Sequence, residues 1–60
     1  MTPEEMKAAL KSLGWSQKDL AARVYVHENT VSLWSKGQRS VPGPVRAYLD
    51  LAVAVKALGV

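Results

Sequence analysis

The chain has 60 residues, a net charge of +3, a pI near 9.6 and no cysteine. A chain of that length is one small domain that buries only about 60% of its unfolded surface. The missing thiols exclude a disulfide framework and thiolate zinc sites, and a single histidine leaves little for any other metal.

The first predicted helix covers about residues 2–13. Thr2 and Glu5 have capping-box spacing, and Pro3 takes the first helical position, where its missing N–H costs nothing. Met6, Ala9, Leu10 and Leu13 recur at helical spacing, and Gly14 supplies the stop. A second helix, about 17–24, follows with Ser16 as its N-cap and Asp19 three residues on. Leu20, Ala21 and Val24 form its apolar face, Lys18 and Arg23 stay in solvent, and Trp15 is placed to pack on Leu20 as a hydrophobic staple.

The stretch RVYVHENTV, residues 23–31, is rich in strand-forming side chains, but no other segment offers a pairing partner. The helical period returns after it in a new phase, with Val31 and Trp34 apolar and Gly37 ending the run. Such a reset predicts a tight turn over Tyr25–His27 that pins its apolar side chains inward, and a third helix over about 28–36. Tyr25 then stands near the residue that must take positive φ, at a cost of about 1 kcal/mol relative to glycine. Both tryptophans are expected in the core.

A fourth helix is expected from Pro44 to about Leu58, because Gly43 before a proline is disfavoured as helix. It carries two apolar stripes. Val45, Tyr48, Leu49, Ala52 and Val55 form one, and Ala47, Leu51, Ala54 and Leu58 the other. Four short helices can cover only one of these, so the second is expected to meet a partner. The fold class is therefore all-α, a compact four-helix domain spanning 1–60 whose last helix doubles as a dimer interface.

Charge is unevenly spread. Residues 1–22 and 47–60 are each neutral, and the excess comes from Arg23, Lys36, Arg39 and Arg46 against Glu28. A basic middle favours a polyanionic partner. On a helical wheel Glu28, Asn29, Ser32, Leu33 and Lys36 share an arc of about 140°, opposite Val31 and Trp34. A helix anchored on one side and polar on the other is what reading DNA in the major groove requires.

The segment SQKDLAARVYVHENTVSLWSKG, residues 16–37, resembles the helix-turn-helix of the Cro/repressor family of bacterial and phage regulators. Gln17 opens the motif, Ala21 sits at the helix contact, and Val24, Val26, Val31 and Trp34 occupy the buried positions. Tyr25 replaces the family's usual glycine, and His27 its frequent serine cap. The resemblance implies base contacts from His27, Glu28, Asn29, Ser32 and Leu33. It also implies phosphate contacts from Gln17, Lys18, Lys36, Gln38, Arg39 and Ser40. Asn29 suits adenine, Glu28 suits cytosine N4, and Leu33 suits a thymine methyl. Glu28 equally suits the positive end of its own helix.

The expected function is that of a sequence-specific regulator, most simply a homodimeric repressor of phage or mobile-element type on palindromic double-stranded DNA. No cofactor, metal or membrane is implied. The absence of a long apolar run and of a basic-then-apolar N-terminus makes a soluble cytoplasmic protein the expectation. An enzyme would need a cleft and a held base that four short helices rarely supply. The other reading is an antitoxin or adaptor whose apolar last helix binds a partner protein.

Overall fold

The computed structural model describes residues 1–59, and it contains four helices and no strand among them. They are α1 (Pro3–Leu13), α2 (Gln17–Val24), α3 (Glu28–Ser35) and α4 (Gly43–Ala57). Both anticipated capping boxes are formed. The Thr2 N–H donates to Glu5 Oε1 at 2.8 Å and the Glu5 N–H to Thr2 Oγ1 at 3.1 Å. At α2 the Ser16 N–H donates to Asp19 Oδ2 at 2.9 Å, and the Asp19 N–H donates to Ser16 Oγ at 3.1 Å. Four N–H groups that begin a helix without partners are thus satisfied by side chains of the same turn.

The helix ends repeat one device. α1 stops at Gly14, φ 72°, and the Trp15 N–H reaches back to the Leu10 carbonyl at 2.9 Å. α3 stops before Gly37, φ 76°, and the Gln38 N–H reaches the Leu33 carbonyl at 3.0 Å. α2 does the same with a tyrosine. Tyr25 has φ 59° and ψ 42°, and the Val26 N–H bonds the Ala21 carbonyl at 3.0 Å. In each case the bond spans six residues across a left-handed position, satisfying a carbonyl at the helix end. Tyr25 is the only non-glycine with positive φ among the described residues. The turn holds it there because Ala21 is buried and Val26 packs against the core, one on either side.

The core comprises Met6, Leu10, Leu20, Ala21, Val31, Trp34, Val45 and Leu49, with Ala9, Leu13, Val24, Val26 and Val41 packed against it. α2 packs on α3, and α1 lies against both α3 and α4. Met6, Leu20, Val31 and Leu49 are sealed from solvent completely, one from each helix. That shared contact fixes the orientation of α3.

α1 begins at Pro3 with Thr2 as its cap, as the capping-box spacing implied, and α3 ends at Ser35 with Lys36 as its cap. Several expectations need correction. α4 begins at Gly43 and ends at Ala57 rather than spanning 44–58. Pro42 serves as its N-cap and Pro44 falls in the first turn, where a missing N–H is harmless, so the Gly-Pro pair did not delay the helix. Trp34 is core at 3% exposure, but Trp15 is only half-buried at the rim. Tyr25 is not pinned inward with its valine neighbours; it is 94% exposed. Val55 was assigned to the packed stripe of α4 and is instead exposed, while Val53 is half-buried. Phase explains this last case. At about 100° per residue Val53 lies about 40° from the buried Leu49, whereas Val55 lies about 120° from it, on the rim of the helix beside Leu13 and Trp15.

Candidate nucleic-acid interface

α3 displays the division of faces that its sequence implied. Val31, Trp34 and Ser35 are buried, Glu28 and Asn29 are exposed, and Ser32 and Leu33 are half-buried at the boundary. Ser35 was not anticipated on the inner side. Its phase places it about 40° from Val31, on the side away from Trp34, but a polar residue gives no hydrophobic signal. Its hydroxyl is satisfied by donating to the Ser32 carbonyl at 2.7 Å.

The start of α3 is held by His27, whose Nδ1 accepts from the Asn29 N–H at 3.0 Å. Histidine therefore performs the cap that serine or aspartate usually performs. An accepting Nδ1 puts the ring proton on Nε2, so a free donor sits on an exposed ring beside Glu28. Glu28, Asn29 and His27 are brought together in one exposed turn, with Ser32 and Leu33 a turn further along.

The remaining candidates lie in two groups. Gln17 and Lys18 occupy the first turn of α2, Gln17 half-buried and Lys18 exposed. Backbone N–H groups ahead of the first intrahelical bond favour an anion there. Asp19 shares that turn. Hydrogen bonding to its carboxylate by the Ser16 backbone N–H, and then by the Ser16 side chain, lowers its pKa; Arg23 and Lys18 act in the same direction. Lys36, Gln38, Arg39 and Ser40 follow α3 and are all exposed. Arg39 continues the turn, its N–H directed to the Leu33 carbonyl at 3.4 Å.

Away from this surface, Arg23 lies over the Trp15 ring, 4.1 Å from its centroid, and Trp15 stacks on Tyr48 with centroids 5.9 Å apart. Trp15 and Tyr48 form one wall of a shallow groove of about 520 Å³ completed by Leu13, Leu51, Ala52, Val55 and Lys56. The stripe of Ala47, Leu51, Ala54 and Leu58 is exposed throughout, Leu51 at 63% and Leu58 at 79%. No helix among the described residues is long and apolar enough to cross a membrane. No group of three or more potential metal ligands occurs among them.

A helix-turn-helix family model matches residues 6–48, more than two thirds of the chain. The matched segment holds α1 from Met6 onward, α2, α3, the first turns of α4 and every candidate DNA-contact residue. Neither a curated protein nor a solved structure matches.

Proposed function

The chain belongs to the Cro/repressor-type helix-turn-helix family, a family of DNA-binding regulators, and from that premise we propose that it is a homodimeric, sequence-specific repressor working in the cytoplasm. The observation that carries this reading is α3 itself. Val31 and Trp34 anchor one side of it in the core, and Glu28 and Asn29 stand free on the other at the end nearest the turn.

In this reading α3 enters the major groove by its N-terminal end. Asn29 pairs with adenine through its carboxamide, and Glu28 accepts from cytosine N4. The free Nε2–H of His27 donates to a purine acceptor, Ser32 allows close approach, and Leu33 touches a thymine methyl. Gln17 and Lys18 at the start of α2 hold one phosphate, while Lys36, Gln38, Arg39 and Ser40 hold the backbone beyond α3. These last contacts supply affinity and register without reading sequence.

Dimerisation is supported by the uncovered stripe Ala47, Leu51, Ala54 and Leu58. Two copies joined through α4 would set their recognition helices about 34 Å apart, one turn of duplex, on a palindromic operator. Occupying that operator excludes polymerase, with neither catalysis nor cofactor. The same exposed stripe and groove favour a second reading, in which α4 docks a different protein as an antitoxin or adaptor would.

Selecting bound duplexes from a random pool tests the proposal. The expected product is a palindrome whose half-sites are separated by about 10 base pairs. Recovery of no consensus would overturn sequence-specific reading. The two readings separate by substitution. Glu28→Ala with Asn29→Ala removes a regulator's activity and spares an adaptor's, whereas Leu51→Asp is expected to abolish the adaptor's.

A further inference from the structure

We propose that Tyr25 is a DNA-backbone contact, its phenolic O–H donating to a phosphate at the edge of the groove that α3 enters. The inference rests on the DNA-binding reading above and adds to it a residue that the family pattern does not supply.

The argument begins with a mismatch. All four helices end at or just before a residue with positive φ, namely Gly14, Tyr25, Gly37 and Gly59. Glycine takes that conformation freely and tyrosine does not. The tyrosine gives nothing to the fold in return. Its side chain is 94% exposed, while Val24 and Val26 on either side pack against the core. A strained, fully exposed aromatic residue is explained by something outside the domain.

Position identifies what that is. Tyr25 precedes the α3 cap His27 by two residues, so their Cα atoms are separated by at most about 7 Å. A helix about 10–12 Å across fills a major groove about 12 Å wide. The chain leading into its N-terminus must therefore leave at the groove edge, where the phosphates stand. A phenol combines a flat apolar face, suited to a sugar, with one hydroxyl donor suited to a phosphate oxygen.

Titrating the full-length protein with a random-sequence duplex of about 30 base pairs, across a salt series, tests the contact. Tyr25→Phe is expected to weaken binding roughly tenfold, the worth of one hydrogen bond to a charged group. Its melting temperature should be unchanged, because the exposed hydroxyl plays no part in folding. Tyr25→Gly is expected to melt several degrees higher and to bind at least as weakly as Tyr25→Phe. Both should keep the wild-type slope of log affinity against log salt, since no cation is removed, whereas Lys36→Ala should make that slope shallower by about two, roughly one for each subunit of the dimer.

Tyr25→Phe binding as tightly as wild type overturns the proposal, as does Tyr25→Gly gaining stability with no loss of affinity. If Lys36→Ala changes the slope while both Tyr25 variants bind normally, the Tyr25 contact falls and the DNA reading stands. Wild type failing to bind the duplex at any salt removes both.

Discussion

Single residues carry a large share of this domain's architecture because so few are buried. Ser16 closes a two-bond box at the start of α2, and Ser16→Ala is expected to cost about 1 kcal/mol, measurable by urea denaturation. The boxes also tie stability to pH. The Thr2 backbone N–H and then its hydroxyl hold the Glu5 carboxyl below its ordinary 4.5, and Ser16 acts likewise on Asp19, ordinarily 3.8. A carboxylate whose folded pKa is depressed contributes stability above its unfolded value and loses it as pH falls through the folded one. Melting temperature is thus expected to decline below about pH 4.5, and the decline should be shallower in Thr2→Ala and Ser16→Ala. Both boxes could be read directly from sequence because their signal is local: a hydroxyl and a carboxylate three residues apart ahead of an apolar run. The exposure of Tyr25 could not be read that way. Its neighbours Val24 and Val26 face inward, and only the backbone geometry at a helix end turns the residue between them outward.

Among the elements, α3 and α4 illustrate how much periodicity reveals. The two faces of α3 follow from its 3.6-residue repeat, and only Ser35 escaped, because burial of a hydroxyl depends on a carbonyl partner that spacing does not show. In α4 the repeat identified both stripes but not where cover ends. Val55 continues the packed stripe in sequence and yet is exposed, while Val53, closer in phase to Leu49, is half-buried. Which arc of a helix its neighbours cover is a tertiary property, absent from any one segment's pattern. The α4 stripes give opposite mutational outcomes. Leu49 is wholly buried, so Leu49→Ala should destabilise by about 2–5 kcal/mol. Leu51 is largely exposed, so Leu51→Asp should leave the melting curve of the monomer nearly intact while sedimentation shows self-association lost. A monomer well above working concentration in the wild type, with and without DNA, would remove the dimer.

For the whole molecule, the distribution of charge matters more than its sum. The excess is confined to residues 23–46, the segment containing α3 and the loop after it. If Lys18, Lys36 and Arg39 from two subunits each meet a phosphate, the slope of log affinity against log salt is about −5. Binding measured between 50 and 200 mM salt, roughly the range over which such slopes are read, checks this. A flat response would contradict every phosphate contact proposed. Fold and family were accessible from sequence because a helix-turn-helix is defined by spacing and burial acting together. Which exposed residues touch DNA is set by a partner's shape, and no pattern within one chain encodes that.

The Trp15 stack has an optical consequence. Of the two indoles, Trp34 is sealed in the core, whereas Trp15 lies beneath the Arg23 guanidinium, beside Tyr48, on the wall of the α4 groove. A Trp34→Phe chain would emit from Trp15 alone. Whatever comes to rest on that groove, a second copy or another protein, should shift that emission to the blue as water leaves the ring, so the protein carries its own fluorescent gauge of assembly.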